Sequence, residues 1–198
     1  MSPSLPLFPL NTVLLPGCIL DLQIFEARYL DMVSACMRQG TGFGVVTVAE
    51  GSEVGGAPVR FSTWGCEALI RDFQQRPNGL LGIRVEGGRR FRVNDYDRQA
   101  DALVLGDVLW LSEAPEVPLL EEQADLVALL GALGVHPLVA ELGMGGVVRD
   151  QQALANQLAY LLPFSVEEKL RVLALDQPQQ RLQLVQAFIE RMQGEVEG

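Results

Sequence analysis

The main change in the hydrophobic pattern of this 198-residue chain occurs at Ser112–Pro118 (SEAPEVP). Before this segment, apolar and polar residues mostly alternate in short runs, as in β-strands. After it, apolar residues recur at helical spacing. Prolines and glutamates packed into one short segment are typical of a connection between structural units. The sequence therefore predicts an α+β protein with a β-rich part over residues 1–114 and an α-helical part over residues 115–198.

Leu5–Leu10 is the first of the short apolar runs, and it contains Pro6 and Pro9. Proline has no backbone N–H to donate to a neighbouring strand, so it is tolerated at sheet edges and strand ends. We therefore expect an edge strand here. Its neighbour is expected to be the next run, Ile19–Phe25, where apolar and polar residues alternate.

One helix is predicted among the strands, from Glu26 to Gln39. Its apolar residues recur at helical spacing and would form an inner stripe of Tyr29, Val33, Cys36 and Met37. Gly40 follows, and glycine readily takes the left-handed conformation at a helix C-terminus. Glu26 is expected to cap the N-terminus or to pair with an arginine.

Further β segments follow the helix, with a predicted loop at residues 54–58. They are Phe43–Ala49, Val59–Phe73, Leu80–Val85, Arg90–Tyr96 and Ala102–Leu111. The Glu86–Arg89 segment (EGGR) is expected to be either a hairpin turn or a bulge that bends a strand around a corner. Because the connections are too short for repeated helical crossovers, these strands are expected to form a small closed barrel.

The second part is predicted to contain helices only. Leu119–Leu133 and Asp150–Leu162 have leucines at helical spacing, and Pro178 suits the first turn of a last helix. The Ser165–Glu168 segment (SVEE) is a capping-box pattern, in which the serine hydroxyl and the glutamate carboxylate each accept a backbone N–H of the other.

Charge and composition exclude several classes of function. The net charge of -10 opposes a nucleic-acid partner, which would require a surplus of cations. The three cysteines are far apart in the sequence, which predicts buried, reduced thiols in a cytoplasmic protein. The first positively charged residue is Arg28, so no basic segment of a secretion signal is predicted. No segment is long and apolar enough for a membrane span. The single histidine, His136, is expected in a loop or helix cap, and no metal or cofactor is predicted.

Four motifs occur in order along the chain: LPLFPLNTVLLPG, LDLQIFEARYLDMV, GLLGIRVEGGRRFRV and LPFSVEEKLRVLALDQPQQRLQLV. Together they resemble the LON substrate-binding domain, the N-terminal domain of ATP-dependent Lon proteases. The resemblance extends from Leu5 to Gln193 and is strongest to stand-alone bacterial LON-domain proteins. It implies a PUA-like β-barrel followed by a helical bundle, and a role in recognising peptides or unfolded protein, or one specific protein.

The chemistry of a Lon protease is missing from these residues. Its ATPase requires a G-x-x-x-x-G-K-[ST] loop, but Lys169, the only lysine, is followed by leucine. Lon proteolysis uses a serine activated by a lysine, whereas Ser165 is better explained as the helix cap. The expectation is therefore a recognition domain that is not an enzyme.

The matched motifs supply the candidate residues for peptide or protein binding. These are Phe8, Phe25, Tyr29, Arg84, Arg90, Phe91 and Arg92. The aromatic residues would provide a hydrophobic surface if exposed, and would otherwise form core. The arginines would bind carboxylates or peptide backbone, and would otherwise be solvated or paired with nearby acidic residues. The alternative function is RNA binding through Arg84–Arg92, since PUA-like barrels elsewhere bind RNA.

Overall fold

The structure, a computed structural model, describes residues 4–50 and 60–196. They form two compact units, divided between Ser112 and Glu113. The first unit contains a six-stranded mixed sheet with one helix, and the second contains α-helices. The loop predicted at residues 54–58 lies outside the described residues. None of the described helices is long and apolar enough to cross a bilayer.

The sheet of the first unit forms a ring of paired strands. Its elements are β1 (Leu5–Leu10), β2 (Ile19–Ile24), α1 (Ala27–Gln39), β3 (Phe43–Glu50), β4 (Arg60–Gln75), β5 (Leu81–Arg98) and β6 (Val104–Trp110). The strand order is β2-β5-β4-β3-β1-β6, and β6 also pairs with β5. Hydrogen bonding therefore returns to β5 by way of β4, β3, β1 and β6, while β2 extends the sheet from β5. The β1–β3 pair is parallel, and the other pairs are antiparallel.

Strand β1 lies between β3 and β6, so both predictions for it are wrong: it is not an edge strand, and β2 is not its partner. The register explains how its prolines are tolerated. β6 pairs with residues 5–7, whereas β3 pairs with residues 7–10. Pro6 thus lies outside the β3 ladder and Pro9 outside the β6 ladder. Each proline is therefore unpaired with one of the two neighbouring strands, and on that side its missing N–H interrupts no series of hydrogen bonds.

The predicted glycine bend lies inside one continuous strand, β5, so the hairpin alternative is wrong and the bulge alternative is confirmed. Between two matched pairs, β5 has Gly88 and Arg89 where β4 has only Glu67. Two residues opposite one define a β-bulge, which bends a strand and increases its twist. The bend lets one long strand pair with β2 through its first half and with β6 through its second half.

Helix α1 buries most of its predicted stripe against the sheet. Tyr29, Val33 and Cys36 are buried, but Met37 is 39% exposed, and Met32 is buried in addition. Residues 29, 32, 33 and 36 follow the three- and four-residue spacing of a single helix face, whereas residue 37 lies at its margin. The prediction for Met37 is therefore wrong.

Both ends of α1 follow the sequence prediction. Glu26 occupies the N-cap position without a side-chain capping hydrogen bond, and the predicted pairing with an arginine is confirmed by its 2.8 Å ion pair with Arg28. Gly40 ends the helix with a φ of 65°, and its N–H donates to the Cys36 carbonyl. All three cysteines are buried thiols. The local signals for this helix were thus sufficient to locate it.

The second unit contains a 3-10 turn (Glu121–Gln123) and helices α2 (Ala124–Gly134), α3 (Pro137–Glu141), α4 (Gln151–Leu161), α5 (Val166–Ala174) and α6 (Pro178–Val196). The capping box is confirmed, since the Ser165 hydroxyl accepts from the Glu168 N–H at 3.2 Å and the Ser165 N–H donates to the Glu168 carboxylate at 2.8 Å. His136 caps α3, as its Nδ1 accepts from the Leu138 N–H. Lys169 donates to the Tyr160 carbonyl at 2.9 Å.

The segment with linker composition is hydrogen-bonded into the second unit. The Gln152 side chain donates to the Ala114 and Pro115 carbonyls and accepts from the Val117 N–H. Glu113 pairs with Arg181 of α6, whose side chain is 1% exposed. Residues 113–117 are therefore held by side chains from α4 and α6.

Arg181 is the centre of the polar interior of this unit. Its Nε donates to the Leu175 carbonyl at 2.7 Å, and its Nη1 donates to the Asn156 side-chain oxygen at 3.4 Å. Its Nη2 donates to the Glu113 carboxylate at 3.2 Å. A buried guanidinium is tolerated only when its donors are satisfied in this way.

Candidate functional site

Phe8, Phe25 and Tyr29 line one small pocket of about 170 Å³ beside β2. Phe8 and Tyr29 are buried, and their stacked rings have centroids 4.0 Å apart. Phe25 is 52% exposed. The first two therefore hold β1 against α1, as aromatic pairs in a core do. Of these three residues, Phe25 offers an apolar surface to a partner.

Arg90 and Phe91 lie in the interior of the first unit, and both side chains are fully buried. Phe91 belongs to a core cluster that also contains Leu7 and Val104. Its ring meets the Trp110 ring edge-on, with centroids 5.7 Å apart. Neither residue presents surface to a partner, because the sheet covers both.

The arginines of β5 do not form one basic patch. Arg84 lies opposite Asp21 of β2 and donates to both carboxylate oxygens at 2.8 Å. Arg89 is paired with Glu67, and Arg90 is buried. Arg92 is exposed. Two of the four charges are thus neutralised by carboxylates, and a third is inside the molecule.

The Asp21–Arg84 pair gives a pH-dependent contribution to stability. The hydrogen bond from Arg84 lowers the pKa of the Asp21 carboxyl below its ordinary value of 3.8. A lowered pKa in the folded state means that the contribution is present above the unfolded-state pKa and is lost as the pH falls through the folded-state value. We expect Asp21→Asn to reduce the free energy of unfolding by less than about 1 kcal/mol at neutral pH, because the pair is partly exposed.

Urea denaturation of both proteins at neutral pH and near pH 3 measures this effect. The difference in unfolding free energy between them should shrink on acidification, because the contribution of the Asp21 charge is lost as the pH falls from the unfolded-state pKa through the lowered folded-state pKa. A difference that grows as the pH falls would contradict the assignment. Asp31→Asn is the matched control, since Asp31 is an exposed carboxylate of α1.

A second opening in the first unit is larger, at about 600 Å³, and lies between α1, the start of β1 and the end of β6. We call it the Trp110 groove. Residues that line it include Pro6, Met32, Arg89, Leu103, Leu105 and Trp110. A concave site of this size with a mainly apolar lining is typical of ligand-binding clefts.

The floor of the Trp110 groove is apolar. Met32, Cys36 and Leu103 are buried there, while Leu105 and Trp110 are half-buried on its walls. Burial raises the pKa of the Cys36 thiol, which keeps it neutral. Removing such surface from water by binding an apolar side chain contributes about 25 cal/mol per Å².

One wall of the groove is a stack of an acid, a base and an aromatic ring. The Arg89 guanidinium lies over the Trp110 ring, 3.9 Å from its centroid. Its Nε and Nη2 donate to the two carboxylate oxygens of Glu67 at 3.0 and 3.1 Å. These bonds raise the pKa of Arg89, so it stays charged. The wall thus combines a fixed cation with an aromatic face.

The bulge in β5 and two glycines position this stack. An alanine Cβ at Gly42 would lie 3.1 Å from Cγ of Glu67, and one at Gly88 would lie 3.1 Å from its Oε2. The Glu67 side chain therefore occupies space that side chains at these positions would fill. The extra residue of the bulge is what places Arg89 opposite Glu67.

The residues predicted to bind peptide do not include Trp110, Arg89 or Leu105, although Arg89 belongs to the Arg84–Arg92 segment considered for RNA binding. One signal was available: strand β6 buries Val104, Gly106 and Val108, so Leu105 is an apolar residue at an outward-facing position. Arg89 is the exposed neighbour of buried Arg90, but the bulge that separates their environments has no local signature beyond its glycines.

Within the described residues, no group of three or more histidine, cysteine, aspartate and glutamate side chains could hold a metal ion.

Comparison with known proteins relates nearly the whole chain to one protein family. The sequence profile described as the ATP-dependent protease La (LON) substrate-binding domain matches residues 4–191. The crystal structure of a Lon N-terminal domain protein from Xanthomonas campestris is similar, with 35% identity, a TM-score of 0.74, and coverage of 93% of this chain and 97% of that one. The N-terminal domain of Mycobacterium avium complex Lon protease has 19% identity, a TM-score of 0.62, and coverage of 92% and 95%. The second likeness shows the fold alone.

Proposed function

Because the chain belongs to the LON substrate-binding domain family, we propose that it recognises peptide or unfolded-protein segments and binds them in the Trp110 groove. The observation that carries the proposal is the apolar floor of this groove beside the Glu67–Arg89–Trp110 stack. An apolar side chain of the bound segment fills the floor, and the polar groups at the rim meet its backbone. A mainly apolar site with few polar groups suits segments of varied sequence.

The rim supplies the polar contacts that a peptide backbone requires. Gln39 and Gln99 are exposed at the groove, and each amide both donates and accepts hydrogen bonds. Arg89 is already charged and oriented by Glu67, so little side-chain entropy is lost when it meets a carbonyl. This arrangement gives moderate affinity without strict sequence selection.

The proposal includes the absence of catalysis by these residues. The G-x-x-x-x-G-K-[ST] loop does not occur in the sequence, and Lys169 is engaged by a helix-end carbonyl. Ser165 is engaged as a cap. We further propose that the ring of strands is a PUA-like β-barrel and that the second unit is a helical bundle.

Tryptophan fluorescence tests the groove directly. Trp64 and Trp110 are the only tryptophans, so a Trp64→Phe protein reports from the groove alone. We expect titration with a reduced, carboxymethylated model protein, which stays unfolded, to shift its emission. The model protein in its native, folded form should leave the emission of the Trp64→Phe variant unchanged. If the emission does not change during titration with the unfolded form, binding in the Trp110 groove is refuted.

A pair of variants on one strand localises the binding. Leu105→Ser alters the groove wall, whereas Leu109→Ser alters an exposed leucine of the same strand that does not line the groove. The first change is expected to weaken binding by about tenfold, since about 1.4 kcal/mol of apolar contact is lost. The second is expected to have no effect. Equal binding by both variants would place the site elsewhere.

The geometry does not favour RNA binding. Arg84 and Arg89 are paired with carboxylates and Arg90 is buried, so the arginines of β5 do not present a joint cationic surface. A phosphate backbone would have to displace those carboxylates. Binding of a single-stranded RNA at low salt that is lost in Arg92→Ala would reverse this conclusion.

A further inference from the structure

The helices α2 and α3 are apolar but incompletely buried. An α-helix that is apolar on all sides is normally buried. In α2, Leu130 is buried and the other large apolar residues are half-buried, and in α3 no residue is buried. Val135 is 81% exposed, Leu138 67% and Val147 97%. We call the surface that these three residues form the α2–α3 surface.

The backbone brings the members of this surface together. An alanine Cβ at Gly134 would lie 2.4 Å from the Gly145 carbonyl oxygen, so the loop after α3 packs directly on the end of α2. Val135 adjoins the first glycine, and Val147 follows the second by two residues. The Gly145 N–H donates to the Gln157 side chain, which fixes the loop on α4. The apolar residues are therefore held in place by the fold.

The charges in the segment that carries this surface are mostly negative. Residues 119–149 contain four carboxylates and one basic side chain, the exposed Arg149. All four are exposed: Glu121, Glu122, Asp125 and Glu141. A partner with an apolar face and a basic rim would gain attraction from each of them. A second copy of this chain would instead bring two acidic rims together.

We infer that the α2–α3 surface docks a protein partner through an amphipathic helix whose apolar face is flanked by lysines or arginines. Exposed Val135, Leu138 and Val147 supply the apolar contact, and the carboxylates set orientation and association rate. This surface lies in the second unit and does not depend on the Trp110 groove.

The test uses a synthetic amphipathic helical peptide of about 20 residues, with leucines on one face and lysines on the other. A matched peptide with glutamates in place of the lysines is the control. Fluorescence anisotropy is measured against the full chain at low and high salt. We expect the lysine peptide to bind, more weakly at high salt, and the glutamate peptide not to bind. Equal binding of the two peptides would overturn the inference.

Variants then locate the contact. The triple change Val135→Ser, Leu138→Ser, Val147→Ser is expected to weaken lysine-peptide binding about tenfold or more, while Leu109→Ser, at an exposed leucine of the first unit, leaves it unchanged. If the triple variant does not fold by circular dichroism, the set Glu121→Gln, Glu122→Gln, Asp125→Asn replaces it. That set should reduce both the affinity and its salt dependence. Unaltered binding in the folded variant set, or a salt-stabilised dimer joined through this surface, would refute the partner that we infer.

Discussion

Replacing Gly87 with alanine is expected to destabilise the first unit by about 3 kcal/mol or more, whereas the same change at Gly88 should cost about 1 kcal/mol. The reason is what each new Cβ would meet. At Gly87 it would lie 2.1 Å from the Leu15 carbonyl oxygen, which is backbone. At Gly88 the nearest atoms belong to the side chains of Glu67 and Leu69, at 3.1 and 3.2 Å.

The Leu15 backbone cannot move away cheaply, because Gly87 is hydrogen-bonded to the turn that follows it. The Gly17 N–H donates to the Gly87 carbonyl at 2.8 Å, and the Gly87 N–H donates to the Cys18 carbonyl at 2.9 Å. Urea denaturation followed by tryptophan fluorescence reports on the first unit, since both tryptophans lie in it. An equal loss of unfolding free energy in the two variants would show that the close approach of Gly87 to the Leu15 carbonyl does not cause the destabilisation.

Replacing Arg181 with methionine is expected to destabilise the second unit by about 3 to 5 kcal/mol. Methionine preserves much of the side-chain volume but removes every donor. The buried Asn156 oxygen and the Leu175 carbonyl then lose the bonds that Arg181 supplied, and Glu113 loses its cation. The loss of these hydrogen bonds at buried polar groups dominates the expected effect.

Helical circular dichroism during thermal unfolding measures this loss. Arg149→Met is the control, because Arg149 is an exposed arginine of the same unit. The control should unfold at the wild-type temperature, and the Arg181 variant well below it. Similar transitions for the two variants would mean that the buried network contributes little.

The sequence was most informative where a signal is local. The Ser165–Glu168 capping box, the Gly40 end of α1 and the Glu26–Arg28 pair all involve residues within four positions of each other, and all are present in the structure. Alternation also indicated which residues of a strand share a face. Such patterns do not specify the neighbouring strand, which is why β1 was assigned to the wrong partner.

The candidate site was harder to predict, because identical residue types have opposite environments. Phe25 is exposed and Phe8 is buried, although they occupy similar apolar motifs. Arg89 and Arg90 are adjacent in sequence, yet one faces the Trp110 groove and the other is fully buried. The bulge separates them, and its position depends on pairing with β4 rather than on the residues nearby.

Residues 113–117 have the composition of a tether but the hydrogen bonding of an integral element. A fragment that began at the compositional boundary, residue 115, would leave behind the carboxylate that Arg181 binds and the Ala114 carbonyl that Gln152 holds. Dissection of the two units for separate study should therefore cut between Ser112 and Glu113. For this protein, the choice of cutting position decides whether an isolated helical fragment keeps the ionic contact of its own interior.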